Sequence, residues 1–128
     1  MEKFNEATPA RPEGDRILNA AVVFIDLEDY YRQLKQEDTW QKNDRNGITT
    51  YKDDQVTIVV TCLREGAEVI DNVVDALVTV QVLEGALDVE HEGRKTELSD
   101  NNILVFHRGV KHSIRAKTEA SVIITTIK

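Results

Sequence analysis

Cysteine is almost absent from this sequence: Cys62 is the only one in 128 residues. One thiol excludes an intrachain disulfide, and a chain built without disulfides fits a reducing, cytoplasmic compartment. Long hydrophobic runs are missing too. No apolar stretch approaches the ~20 residues that cross a bilayer as a helix, so no membrane is an expected partner. Met1-Glu2-Lys3-Phe4-Asn5-Glu6 lacks a basic segment followed by an apolar core, so no signal peptide is expected there. Positive charge is in the minority: 16 Lys and Arg against 23 Asp and Glu leave a formal net charge of -7. Nucleic acid and anionic lipid both need clustered cations, so neither is an expected partner.

What is present is one domain's length of ordinary globular sequence, 41% hydrophobic and 30% charged. Residues 1–16 carry Pro9, Pro12, Gly14 and many charges, and are expected to form a mobile tail. Residues 17–25, rich in β-branched and aromatic side chains, predict a strand. Asp26 then stands as a helix N-cap, with Asp29 near the positive end of the dipole. Leu27, Tyr30, Tyr31 and Leu34 recur at i, i+3, i+4, i+7, one face of an amphipathic helix that fades by Asp38 to Trp40.

From Gly47 the hydrophobic period becomes two. Strands are predicted at Ile48 to Tyr51, Gln55 to Leu63, Leu77 to Leu83 and Ala86 to His91. Ile103 to His107, His112 to Ala116 and Ala120 to Ile127 continue the series. Turn chemistry separates them at Asp53-Asp54, Arg64-Glu65-Gly66, Glu84-Gly85, Glu92-Gly93, Asp100-Asn101-Asn102 and Arg108-Gly109. Short strands with no helix among them predict an all-β sandwich or barrel. Residues 17–128 are thus expected to be one domain: a strand and helix over 17–40, packed outside a barrel over 47–127.

The order of Gly66, Leu83-Glu84-Gly85, the Asp-Asn turn and Gly109-x-x-His112 resembles the cupin superfamily. The resemblance covers about residues 47–127 and implies a small, RmlC-like double-stranded β-helix, a jelly-roll barrel. The family's first motif is Gly-x5-His-x-His-x3,4-Glu-x6-Gly. Counting from Gly66 puts Asn72 and Val74 at the two His positions, and counting back from Gly85 puts Val78 at the Glu position. In the second motif, Gly-x5-Pro-x-Gly-x2-His-x3-Asn, Gly109 and His112 match while Asn101, His107 and Ala116 depart.

Valine has no lone pair, and an asparagine offers only a neutral amide oxygen. Zinc takes at least three protein ligands, and the iron facial triad takes two His and a carboxylate. No bound transition metal and no other cofactor are therefore expected. Asp71 and Asp75 flank the motif but alternate away from Asn72, unless the segment is a loop. Cys62 either faces inward as a thiolate near His112 or is a small buried hydrophobe.

The interior is expected to be lined by Val74, Val78, Val80, Val82, Ile114 and Val122, with Thr79 and Gln81 on the opposite face. Such a dry pocket suits a small, mostly apolar ligand fixed by one or two polar groups. His112 and Asn72 supply those groups, with Val74, Val78, Val80 and Cys62 as further lining. His112 is either that contact, a general base, or a residue hydrogen-bonded locally. His107 is expected at a strand end and His91 exposed at a hairpin end.

Three functions remain open. One is a metal-free small-molecule binding or sensor protein. Another is a metal-dependent oxygenase or isomerase using His112. The third is a metal-independent isomerase or epimerase with His112 as base and Tyr51 opposite. The resemblance also implies a homodimer through the N-terminal strand. Tyr30, Tyr31 and Trp40 then form a seam, or they pack within the chain.

Overall fold

The computed structural model of the chain describes residues 2–128. Its elements run β1 (Lys3–Asn5), β2 (Arg16–Asn19), α1 (Leu27–Gln36), α2 (Asp38–Lys42), β3 (Arg45–Lys52), β4 (Val56–Leu63), β5 (Glu68–Asn72), β6 (Leu77–Glu84), β7 (Leu87–His91), β8 (Arg94–Leu98), β9 (Ile103–Phe106), β10 (His112–Ala116) and β11 (Ala120–Ile127). The alternating segments pair into two antiparallel sheets. One has five strands in the order β3-β4-β11-β6-β9, and the other has four in the order β5-β10-β7-β8. This is the all-β architecture expected from the strand rhythm, in the jelly-roll form that the resemblance implied.

Alternation fixes what lies between the sheets. Val78, Val80 and Val82 of β6 face inward with Val122, Ile114, Leu87 and Val89, and each is at most 6% exposed. A second core lies on the outside of the five-stranded sheet. There Leu34 and Trp40 close over Ile48, Val60 and Cys62, with Leu27, Tyr30 and Tyr31 packed alongside. The amphipathic face of α1 is therefore used within the chain. Its N-terminus is capped as the sequence indicates, with the Asp29 amide donating to Asp26 Oδ1 at 3.2 Å.

The N-terminal expectation is corrected. Residues 1–16 were read as a tail, yet β1 and β2 form an antiparallel hairpin. Two arginines tie it down: Arg16 donates to the Thr49 carbonyl at 2.7 Å and Arg11 to the Gly47 carbonyl at 2.8 Å. The strand expected over 17–25 stops at Asn19, and the apolar residues after it are unpaired. Two strands absent from the sequence reading, β5 and β8, are short edge strands with mostly exposed side chains. Charge on such strands protects a sheet edge, and it hides the period-two signal.

Glu37 anchors the hairpin to the helix. It is 7% exposed and receives Arg11 Nε, Asn46 Nδ2 and Gln33 Nε2 at 3.0–3.1 Å. Burial alone would raise its pKa, but those three donors outweigh it and hold the carboxyl below the usual range. The depressed value means its stabilisation is complete above the unfolded-state pKa and is lost as pH falls through the folded-state value. Glu37→Ala should cost about 2–3 kcal/mol at neutral pH. In urea titrations the gap to wild type should narrow on acidification below the ordinary glutamate range; a pH-independent gap would contradict the charged clamp.

Gly85 sets the closest backbone approach. Its φ is +101°, and a Cβ there would strike the Glu119 carbonyl and Ala120. Gly66 has φ +87° but open space around it. Gly66→Ala should therefore cost about 1 kcal/mol and Gly85→Ala about 3 kcal/mol or more, measured by chemical unfolding. Equal losses would mean that the turn conformation alone matters.

Candidate barrel-mouth site

Three strand ends meet at one end of the four-stranded sheet. His112 begins β10, and its register partners are Asn72, the last residue of β5, and His91, the last of β7. Phe106, the last residue of β9, reaches in from the other sheet opposite Val78. Inward alternation through Leu87, Val89 and His91, and through Leu104 and Phe106, aims those rings at the same place.

His112 is 3% exposed, and both its nitrogens are engaged. Nδ1 faces the Val110 carbonyl at 3.1 Å, so it carries the hydrogen and donates. Nε2 then accepts from Asn72 Nδ2 at 3.4 Å. The Phe106 ring stacks on the imidazole, with centroids 4.2 Å apart and planes 9° apart. His91 meets the same phenyl edge-on at 6.0 Å and bonds Thr96 Oγ1 through Nε2 at 2.8 Å.

The structure thus brings Asn72 and His112 together, with Val78 paired opposite Phe106 and Val74 packed against the adjoining core. Val80 lies deeper, 1% exposed within that core. Cys62 is not part of this group. Adjacent residues of β4 point to opposite sides, so Leu63 enters the barrel core while Cys62 faces the helix. Its Sγ lies 3.8 Å from Ser121 Oγ, and burial pushes the thiol pKa up, which disfavours the thiolate.

Asp71 and Asp75 are both exposed. Asp71 is a left-handed residue, φ +51°, at a bulge whose amide donates to Ser113 Oγ, and Asp75 pairs with Arg108 at 2.8 Å. Tyr51 lies on β3, in the other sheet. Its hydroxyl donates to Asp53 Oδ2 at 2.7 Å, and that bond raises the phenol pKa. Nothing joins it to His112.

Two members of the site were missed from sequence. His91 was expected in solvent but is half-buried against Phe106. Phe106 was not singled out at all. Alternation from Val89 and from Leu104 was the signal for both. His107, one residue beyond Phe106, is exposed.

The mouth does not fit a transition metal. Among the described residues no three His, Cys, Asp or Glu side chains gather as ligands, and the space beside His112 holds the Phe106 ring. The expected dry pocket is filled by the same ring and the valines behind it. The clefts lie outside the barrel. One of about 340 Å³ runs along the outer face of the four-stranded sheet, past Ile70, Asp88, Lys95 and Arg115. A smaller one of about 170 Å³ borders the mouth at His91, Lys111 and Ser113.

The scan against family models matches none, and no curated protein matches the chain. Solved structures do match. A cupin superfamily protein from Desulfitobacterium hafniense superposes with a TM-score of 0.64 at 18% identity, over 66% of this chain and 78% of that one. A conserved protein of unknown function from Streptococcus pyogenes gives 0.68 at 16% identity, over 87% and 90%. Salicylate 1,2-dioxygenase from Pseudoaminobacter salicylatoxidans gives 0.71 at 19% identity, over 95% of this chain but 35% of that one. At these identities the likeness establishes the fold.

If Phe106 closes the barrel, Phe106→Ala should cost about 3–5 kcal/mol in chemical unfolding. Asn72→Ala, which removes one partly exposed hydrogen bond, should cost about 1 kcal/mol. A loss below about 1 kcal/mol for Phe106→Ala would rule out the ring as the plug.

Proposed function

We propose that this chain, a cupin fold without the metal-ligand set, is a metal-free and non-catalytic small-molecule binding or sensor module that works through its barrel mouth. The observation that supports the reading is the state of His112. One nitrogen is committed to a backbone carbonyl and one ring face to Phe106. The remaining nitrogen shares a long 3.4 Å hydrogen bond with Asn72. A bond of that length is longer than the usual range and correspondingly weak. A small ligand bearing a hydroxyl or amide would take the place of the Asn72–His112 bond from the cleft of about 170 Å³ that His91, Lys111, His112 and Ser113 line.

Catalysis has less support. A base needs a partner that orients it toward a substrate and a group that stabilises developing charge. Among the described residues, the hydrogen bonds of His112 run to the Val110 carbonyl and to Asn72 and to no carboxylate or phenol, and Tyr51 is engaged by Asp53. The single buried thiol suits a cytoplasmic setting.

Elemental analysis of purified protein, before and after incubation with Fe(II), Mn(II), Ni(II) and Zn(II), tests the metal-free reading. Less than roughly one tenth of an equivalent of any metal is expected. A stoichiometric metal that disappears in His112→Ala would overturn it. In a small-molecule screen followed by NMR, a true ligand should move the Asn72 side-chain amide and the His112 ring signals together.

A further inference from the structure

A strand at the rim of a sheet presents main-chain amides and carbonyls on its free side. Here β3 and β9 are the rims of the five-stranded sheet, and β5 and β8 those of the four-stranded one. Three of these edges are protected. On β3 the carbonyls of Gly47 and Thr49 receive Arg11 and Arg16. On β5 a bulge and the left-handed Asp71 break the line, and Arg45 donates to the Glu68 carbonyl at 2.7 Å. On β8 the residues Arg94, Lys95 and Glu97 are charged. β9 has none of these devices. Its residues, Ile103-Leu104-Val105-Phe106, carry no charge in a chain that is 30% charged. Ile103 and Val105 are 54% and 52% exposed.

Register identifies the free groups. The Val82 amide donates to the Asn102 carbonyl, and the Asn101 amide to the Val82 carbonyl, each at 2.9 Å. Bonded and non-bonded pairs alternate from there along an antiparallel ladder. Leu104 opposite Val80, and Phe106 opposite Val78, therefore spend their main-chain groups on β6. Ile103 and Val105, opposite Gln81 and Thr79, turn their amides and carbonyls away from it. β9 ends the sheet, and among the described residues no backbone group outside the sheet bonds Ile103 or Val105.

We infer that the free edge of β9 docks an extended segment of another protein, added to the sheet as one more strand. Main-chain geometry selects that occupant. The outward amides and carbonyls of Ile103 and Val105 continue the β6–β9 ladder, and an extended chain matches them group for group. The four residues of β9 span about 13 Å, so the recognised core is about four residues long. β-Branched side chains on the partner pair best beside Ile103 and Val105. Charge selects the flanks. Asp100 borders one end of the edge, Arg108 at the other end is held by Asp75, and the chain carries a net charge of -7. A segment flanked by lysine or arginine is attracted, and an acidic one is repelled. The site is separate from the mouth reading: a mouth ligand moves Asn72 and His112, whereas a strand on this edge moves Ile103 and Val105.

The probe is an acetylated, amidated heptapeptide that alternates threonine and valine between terminal lysines. In the isotope-labelled full chain alone, the amides of Ile103 and Val105 should exchange with solvent fast, and that of Leu104 slowly. The peptide should bind with a dissociation constant below about 1 mM and slow exchange at Ile103 and Val105 at least about tenfold. N-methylation of the peptide's valines, which removes ladder donors, should weaken binding at least about tenfold. Val105→Pro deletes one outward amide on an edge strand, where proline is tolerated, and should give a similar loss. Should that variant fold poorly, Val105→Lys, which charges the edge, should give the same loss. Ile70→Lys on β5 should leave binding unchanged. No binding at about 1 mM peptide would overturn the assignment. So would Ile103 and Val105 amides already protected in the chain alone, equal binding of the N-methylated peptide, or full affinity in a folded Val105→Pro or Val105→Lys.

Discussion

Two-residue alternation through Leu77 to Val82 of β6 and Val122 to Ile127 of β11 is the constraint on which the rest of this structure depends. Val78, Val80 and Val82 go inward because Thr79 and Gln81 go outward, and the register with β11 and β9 carries that choice across the sheet. A one-residue slip would turn three valines to solvent and bury Gln81. The same alternation decides the chemistry of the mouth. Val78 stands at a position where the superfamily's pattern has a metal-binding carboxylate, and it is also the last inward valine of a packed row. At that site a core residue and a ligand are exclusive choices.

The mouth is consistent with having no ion. Buried ligands without their metal would be unpaired polar groups, each carrying a desolvation cost. Here that cost does not arise. Val74 and Val78 bring no polar atoms, and His112 has a partner on each nitrogen. Phe106 takes the volume, stacked flat on the imidazole. Three departures from the motif, Asn72, Val74 and Val78, thus belong with Phe106 to one local arrangement: an apolar plug around a single satisfied histidine.

The strands that build both sheet interiors were legible in the sequence, because each buries one face and shows a period of two. β10 and β11 fall where that period places them, His112–Ala116 and Ala120–Ile127. β5 and β8 were not legible, since Glu68–Asn72 and Arg94–Leu98 are short edge strands whose charged and polar residues break the period of two. The N-terminal hairpin was not legible for a different reason. It is held by Arg11 and Arg16 bonding backbone carbonyls more than 30 residues away, and no local pattern encodes such contacts. At the mouth, motif counting pointed to Asn72, Val74, Val78 and His112 and passed over Phe106, which matches no motif position and stacks on the His112 ring. Cys62 was ambiguous until the face of β4 was known.

The partial covering of the five-stranded sheet follows from lengths. α1 has ten residues and is therefore about 15 Å long and 10 Å across. Five strands at ~4.8 Å spacing span about 19 Å between the outer two, and each row adds length along the strands. One such helix has the footprint of two strands, and it lies over β3 and β4, where Ile48, Val60 and Cys62 offer it an apolar bed. Two features decide that position. The Glu37 clamp to Arg11 and Asn46 fixes the helix end beside β3, and the hairpin closes the outer edge of the same strand. The chain therefore directs all its covering elements to one side of the sheet. What remains open at β11, β6 and β9 is the width that a single short helix cannot reach, and its outward positions carry threonine, glutamine and aliphatic side chains where an ordinary solvated face would carry charge.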